Sequence, residues 1–322
     1  MHPSEVLFQG TLRPVTIPVC DHYAGAEKLM RKSLALQKEL GPVFDITFDC
    51  EDGAAAGSEL THAQQIADLI NSEENRFNRV GARVHDTGSA FFESDLAHIC
   101  QAAPRLAYLV LPKVESASEV AKAISLVNQY AAKAGRTALP IHVLIETHGA
   151  LQQVQAIAAL PQVECLSFGI MDFVSAHLGA IPANAMRSPG QFTHPLVMRA
   201  KLEIAAACHA NGKVASHNVT TDIKDGSVVA GDARLAGQAF GFTRMWSIHP
   251  DQIRPIIQAF SVSNEEVNEA AQILSDAQAA DWGPIKHQGK LHDRASYRYY
   301  WTVLQRAKLS GLPLQQNVVG LL

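Results

Sequence analysis

The feature that most constrains this chain is a repeated alternation of short apolar runs, rich in Val, Ile and Leu, with longer amphipathic stretches. Eight such runs can be counted: Val15–Cys20, Asp45–Cys50, Gly81–His85, Ala107–Leu111, Ile141–Glu146, Glu164–Gly169, Lys213–His217 and Thr243–Ile248. Helix-patterned segments lie between them, among them Ala26–Leu40, Leu60–Ser72, Ala117–Ala134, Leu151–Ala159, Pro195–Ala210 and Asp232–Gly241. Alternation of this kind makes βα units around a parallel sheet. Strands almost without polar alternation are buried on both faces, as a closed barrel inside a ring of helices requires. The expected fold class is therefore α/β, a (β/α)8 TIM barrel. An open doubly wound sheet is the rival, but it usually carries a Gly-rich phosphate loop after its first strand, and Cys20-Asp21-His22-Tyr23 is nothing like one.

After Pro255 the pattern changes to helices alone, Asn264–Ala280 and Ser296–Leu309, joined by a loop punctuated at Gly283-Pro284 and Gly289-Lys290. The expected organisation is a barrel catalytic domain over 11–255 and a C-terminal helical extension over 256–322. Such an appendage can cover a barrel mouth or reach a neighbouring subunit, which makes a homo-oligomer the expected assembly. No linker, internal repeat or low-complexity tract divides the barrel region. The segment Glu5-Val6-Leu7-Phe8-Gln9-Gly10 reads either as a protease-site remnant or as native sequence, and the fold argument does not use it.

Charge and composition exclude several partners. The 27 Lys+Arg stand against 31 Asp+Glu, for a formal charge of −4, and no basic block exists to neutralise a run of phosphates, so nucleic acid is not an expected partner. No apolar stretch reaches the roughly 18–20 residues that span a bilayer, and the N-terminus lacks a basic region followed by an apolar core. Neither membrane attachment nor export is expected, which points to the cytoplasm. Five scattered cysteines, odd in number and mostly within apolar runs, read as reduced core residues and not as a disulfide framework or zinc site.

Barrel enzymes carry their chemistry at the C-terminal ends of the strands, and here those ends are polar. The second run ends in Asp49-Cys50-Glu51-Asp52-Gly53, the third in Arg83-Val84-His85-Asp86 and the fourth in Pro112-Lys113-Val114-Glu115; Ser216-His217-Asn218 and His249-Pro250 close the last two. Glu146 and Asp172 follow the fifth and sixth runs. Neighbouring parallel strands lie about 4.8 Å apart, so these two carboxylates can converge on one hard cation that takes oxygen ligands and keeps several waters; Mg²⁺ is the natural choice. The alternative is that each acid only caps the helix that follows.

These residues resemble the citrate lyase beta-subunit and malyl-CoA lyase group of the pyruvate-type aldolase superfamily. Asp49-Cys50-Glu51-Asp52 is similar to the family's D-L-E-D, Arg83-Val84-His85 to its R-V-N, and Pro112-Lys113-Val114-Glu115 to its P-K-x-E. Ile145-Glu146-Thr147 resembles I-E-T, Phe168-Gly169-Ile170-Met171-Asp172 resembles F-G-x-x-D, and Ile248-His249-Pro250-Asp251-Gln252-Ile253 resembles I-H-P-x-Q-I. Gly289-Lys290-Leu291-His292-Asp293 is similar to the G-K-x-x-D of the family's C-terminal lid. Seven motifs in the family's order extend over most of the chain.

The resemblance implies a Mg²⁺-dependent carbon–carbon lyase acting on a 2-oxo acid or a 3-hydroxyacyl-thioester adduct, with acyl-CoA as a second partner. Glu146 and Asp172 would hold the metal. Arg83 would serve as a catalytic and substrate-binding group, its planar fork suiting a carboxylate or developing oxyanion; an ion pair with Glu51 or Asp52 is its structural alternative, and the two roles are compatible. Glu51, Asp52, His85 and Gly169 are implied on the substrate side. Asp293, from the lid of its own or an adjacent subunit, would exchange protons with the reacting carbon, with a surface acid as the alternative. A salt bridge between Lys113 and Glu115 is expected at the mouth, and His85 ranks ahead of His249 as an alternative base.

Several positions depart from the family pattern. The first strand lacks the Arg-Ser opening and the Phe-Val-Pro-Gly turn, no basic residue follows Asp52, and the seventh strand carries Ser216-His217-Asn218 where an acid is common. Fewer cations near the mouth weaken the case for a CoA thioester, whose phosphates need them. An aldolase on free 4-hydroxy-2-oxo acids, a malyl-CoA thioesterase and a catalytically silent barrel acting as a binding subunit are the alternative readings.

Overall fold

A computed structural model describes residues 2–9, 13–54, 56–223 and 225–322; Gly10 of the possible remnant and position 11, where the barrel domain was expected to begin, lie outside them. Eight parallel strands close into a barrel in sequence order: β1 (Cys20–Ala24), β2 (Asp45–Asp49), β3 (Val80–Arg83), β4 (Leu106–Leu111), β5 (Ile141–Ile145), β6 (Val163–Phe168), β7 (Val214–His217) and β8 (Arg244–Ser247). Every residue of β2, β3, β5, β7 and β8 is buried, which is the reason these strands read as continuous apolar runs without alternation. Seven of the eight expected strands overlap the observed ones closely.

The first does not: β1 begins where the run Val15–Cys20 ends. Asp21, His22 and Tyr23 look like a turn because their polarity breaks the apolar pattern, yet they form the strand, since the barrel lumen supplies partners. Arg244 pairs with Asp21 at 3.0 Å and with Asp45 at 2.6 Å. Asp21 accepts hydrogen bonds from the Thr47 hydroxyl at 2.8 Å and from the Tyr108 hydroxyl at 3.0 Å. The Tyr108 ring stacks on His142 at 3.8 Å, in space left by Gly81, where a Cβ would come within 2.2 Å of the ring. A buried charge is tolerable only when paired and hydrogen-bonded; Arg244 is paired with both carboxylates and its Nη1 donates to Asp45 and to the Pro18 carbonyl, while its Nε has no hydrogen-bond partner among the described residues.

The helices follow from their periodic apolar faces. Pro195–Ala210 lies where expected, with Pro at its first position, where the missing N–H costs nothing. Ala117–Lys133 is capped by Ser116, whose hydroxyl accepts from the Glu119 N–H. The segment expected as one helix over Leu151–Ala159 is two short ones, His148–Gln152 and Val154–Ala158, and helix Pro250–Phe260 runs straight through Pro255. All five cysteines are buried and free.

The chain divides into two compact units, Pro18–Ala259, which holds the barrel, and Met1–Ile17 with Phe260–Leu322. In the second, helices Asn264–Ala279 and Arg294–Leu309 bury Leu274, Ala277, Tyr297, Trp301 and Leu304 together with Val6 and Leu7. The expected all-helical character of this region is corrected by a small antiparallel hairpin, β9 (Ile285–His287) with β10 (Lys290–His292). Gly289, at φ +80°, supplies the left-handed turn residue that such a hairpin needs. Its punctuation therefore marks a hairpin turn inside what reads as a plain loop. Among the described residues no helix is long and apolar enough to cross a membrane.

Candidate active site

The C-terminal ends of the barrel strands enclose a cavity of about 390 Å³ lined by Tyr23, Asp49, Arg83, Glu146, Asp172 and Asn218 among others. Strand register brings them there. Ile145 is level with Phe168 and Ser167 with Ser216, so Glu146, Gly169 and Asn218 form one row across the tips of β5, β6 and β7. Asp49 and Arg83 are direct partners across β2 and β3.

Glu146 is 3% exposed. Its Oε1 accepts the Lys113 backbone N–H at 2.8 Å, and its Oε2 lies over Gly169, where a Cβ would come within 2.0 Å of that oxygen. Only glycine leaves room for the carboxylate in this position. Burial pushes the Glu146 carboxyl up to about 8, with the neighbouring Asp172 charge adding to the effect. Asp172 sits half-buried in the first turn of helix Ile170–Ser175. Helix capping does not account for Glu146, because Thr147 caps the next helix through its hydroxyl, which accepts from the Ala150 N–H at 3.0 Å.

Two carboxyl groups beside a cavity, the buried one in no ion pair among the described residues, fit a hard divalent cation. Among the described residues no set of three or more His, Cys, Asp or Glu side chains gathers as a metal site. An ion at Glu146 and Asp172 would therefore keep open positions for water or substrate, as Mg²⁺ commonly does.

Arg83 is 9% exposed and held on three sides. Its Nε and Nη2 donate to the two Asp49 oxygens at 2.7 and 2.6 Å, Nη1 lies 2.9 Å from Glu51 Oε2, and the guanidinium sits 5.5 Å over the Tyr23 ring. Burial works against its charge, but the Asp49 pair prevails and holds the guanidinium protonated well above its ordinary value. A guanidinium has five N–H donors, so donors remain for a ligand in the cavity. The ion pairs leave donors over, so they are compatible with a substrate role, as the sequence allowed. The partner is Glu51 as foreseen, together with Asp49, which sequence reasoning passed over although an acid and a base end adjacent strands.

Lys113 differs from expectation. Its backbone is left-handed, at φ +50°, and its ammonium pairs with Glu51 and with Asp52, the latter at 3.0 Å, not with Glu115. Glu115 instead accepts the Gly149 N–H at 3.1 Å. Burial raises the Asp52 carboxyl, but the Lys113 hydrogen bond outweighs it and leaves the group below its ordinary value. Asp49, Arg83, Glu51, Lys113 and Asp52 form an alternating chain of charges that fixes the β2 loop, and the loop is pressed close to β1. A Cβ on Gly25 would lie 1.8 Å from the Gly53 carbonyl oxygen.

Of the other expected site residues, Asp52 and Gly169 line the cavity, whereas Glu51 and His85 are not among its lining residues. The His85 ring is tied to Asp95 at 2.7 Å and lies against Phe91. His249 is half-buried near Asp251. Asp293 belongs to the second unit and caps helix Arg294–Leu309, accepting the Ala295 N–H at 3.0 Å. Sequence reasoning also passed over Tyr23 and Trp246, stacked at 4.5 Å on the cavity wall, and Asn218. Tyr23 was lost with the misplaced first strand.

The family model described as HpcH/HpaI aldolase/citrate lyase matches residues 40–250. A crystal structure of a citrate lyase from Burkholderia xenovorans LB400 is 55% identical and superposes with a TM-score of 0.86, covering 100% of both chains. The L-malyl-CoA/beta-methylmalyl-CoA lyase of Cereibacter sphaeroides is 27% identical over 279 residues, 82% of this chain and 87% of that one. The protein CitE from Mycobacterium tuberculosis, solved in complex with magnesium, acetoacetate and coenzyme A, is 23% identical, with a TM-score of 0.66 over 91% of this chain and 99% of that one.

Proposed function

Because this chain belongs to the HpcH/HpaI aldolase/citrate lyase family, whose named relatives are carbon–carbon lyases, we propose that its cavity cleaves or forms a carbon–carbon bond next to a 2-oxo acid, with Mg²⁺ held by Glu146 and Asp172. The observation that carries this reading is Glu146, a carboxyl buried in the cavity wall beside a second acid, where burial outweighs the Lys113 N–H and the Arg83 charge that favour its ionised form. The CitE complex with magnesium, acetoacetate and coenzyme A supports the same choice of ion and partner.

When bound, the ion supplies Lewis acidity and a template for a carboxylate and an adjacent oxygen. The protein does the rest. Lys113 N–H fixes the Glu146 rotamer, Gly169 keeps the space above it open, and Arg83 directs its remaining N–H donors at a ligand carboxylate or developing oxyanion. Asp49 and Glu51 hold that guanidinium still, which limits the reorganisation needed as charge develops. Asp293 is the proposed proton-exchange group on the resemblance alone. Glu51, Asp52 and Gly169 serve as supports of the substrate-binding surface. The substrate class extends to a 3-hydroxyacyl thioester.

Calorimetric titration of pyruvate and oxaloacetate, with Mg²⁺ and with EDTA, and with and without acetyl-CoA, tests the reading. Mg²⁺-dependent binding of a 2-oxo acid that disappears in Asp172→Ala, with the fold intact, is the expected result. Equal binding in EDTA, or an unaffected Asp172→Ala, overturns the metal assignment.

A further inference from the structure

Asn218 lines the cavity, and its side chain is hydrogen-bonded at every position but one. It is 1% exposed. Its Nδ2 uses both hydrogens, donating to Gln191 Oε1 at 2.9 Å and to the Val219 carbonyl at 2.9 Å. Its Oδ1 is buried and has no hydrogen-bond partner among the described residues, although buried polar atoms of this kind are nearly always paired. The amide cannot be turned over to remove the defect, because Oδ1 would then face two acceptors.

The orientation is enforced from behind. Gln191 Nε2 donates to the buried Asp232 carboxylate at 2.9 Å, so its Oε1 must face the other way, toward Asn218 and Lys201 Nζ, which donates to it at 3.0 Å. Lys201 also reaches His217 Nε2 at 2.6 Å. That nitrogen is therefore the acceptor, the ring proton sits on Nδ1, and it is donated to the Asn218 carbonyl at 3.0 Å. Both the backbone and the side chain of Asn218 are thus fixed by a buried network that has no part in the metal site. A built network that ends in one unpaired acceptor, on a residue lining the same cavity as Glu146 and Asp172, points to a ligand that brings a donor.

We propose that Asn218 Oδ1 accepts a hydrogen bond from the substrate hydroxyl, the one on the carbon that becomes a carbonyl when the carbon–carbon bond breaks. Asn218 is then a specificity residue that favours the 2-hydroxy acid skeleton of the adduct over the 2-oxo acid product, and Gln191 is its positioning residue. Geometry agrees. Asn218 and Glu146 stand two strands apart, about 10 Å between backbones, the span of a small acid chelated to an ion between them. A carbonyl oxygen has no donor to offer, so the oxo product leaves Oδ1 unpaired. This inference rests on the lyase reading of the cavity.

The test is calorimetry of the full chain with lactate (both enantiomers) and with pyruvate, in Mg²⁺, on wild type, Asn218→Leu, Asn218→Ala and Gln191→Leu, each first checked for fold by near-UV circular dichroism. Loss of one buried hydrogen bond lowers lactate affinity about 10- to 100-fold in Asn218→Leu, with pyruvate changed by less than about 3-fold. Asn218→Ala, which admits a water, recovers part of the loss. Gln191→Leu shifts the lactate-to-pyruvate ratio in the same direction as Asn218→Leu. Mg²⁺-dependent pyruvate binding with an unmoved ratio overturns the role of Asn218 and leaves the lyase reading standing. Absence of Mg²⁺-dependent binding of either acid to wild type overturns both.

Discussion

Glu146 makes metal binding and stability depend on pH in opposite ways, and a single substitution separates the two effects. Burial raises its carboxyl to about 8, so the metal-free protein carries a neutral acid at pH 6 and must release a proton to gain a ligand. With that value, about one molecule in a hundred is ionised at pH 6. Mg²⁺ affinity should fall about 100-fold from pH 9 to pH 6, or about 2.7 kcal/mol, with about one proton released per ion bound at the lower pH. Stability runs the other way. The folded protein holds this proton more tightly than the unfolded chain, whose carboxyl titrates near 4.5. The resulting stabilisation is complete below that pH, declines as pH rises toward 8, and is gone above it. The interval corresponds to at most about 5 kcal/mol, reduced by any water that reaches the ionised group. Glu146→Gln removes the titration, so the variant in EDTA should be more stable than wild type at pH 9 by about 2–5 kcal/mol, yet bind no Mg²⁺. Urea unfolding in EDTA at pH 5, 7 and 9, with calorimetry in buffers of different ionisation enthalpy, measures both. A pH-independent Mg²⁺ affinity, or a Gln variant no more stable than wild type at pH 9, would refute the reasoning.

Arg83→Lys keeps the charge but loses the two-pronged grip on Asp49, and kcat/KM on the lyase substrate should fall by about 2–4 kcal/mol of transition-state stabilisation; unchanged kinetics would reduce Arg83 to a tether. Asn is as good a helix cap as Asp, so Asp293→Asn should lower kcat while leaving the melting temperature near that of wild type, and full activity would remove Asp293 from the chemistry. Arg244→Met leaves the buried Asp21 carboxylate without a cationic partner, while Asp45 keeps Arg79, and should cost about 3–5 kcal/mol in urea unfolding. A loss below about 1 kcal/mol would mean that the lumen carboxylates do not depend on Arg244.

Much of the barrel was legible because a both-faces-buried strand leaves a one-dimensional trace. Ile141–Ile145 is apolar except at His142 and Val163–Phe168 except at Glu164 and Ser167, and the acids beyond them stand out by contrast. Glu146 and Asp172 could therefore be assigned to one cavity before any geometry was known, and Gly169 could be named without the reason for it. That reason, an oxygen that would lie 2.0 Å from a Cβ, is a distance between two strands and leaves no mark in either.

What the sequence hides are pairings between residues remote along the chain. Asp21 on β1 reads as a strand breaker until Arg244 is known to pair with it from β8, the neighbouring strand that closes the barrel. Once that pair exists, the polarity that hid the strand is what anchors it. Lys113 shows the same effect at the mouth. The nearby Glu115 is the obvious partner by sequence, but a left-handed backbone at Lys113 accompanies pairing with Glu51 and Asp52 instead. Asn218 is the sharpest case. Sequence marks it only as a position where an acid is common, whereas its unpaired oxygen is defined by Gln191, Asp232 and Lys201, which come from three other segments. Apolar pattern is additive along a strand and can be read locally, while the polarity of a buried group has meaning only with its partners. Asn218 is accordingly hidden because a network sets its chemistry, whereas Glu146 and Asp172 stand out in sequence by their charge alone.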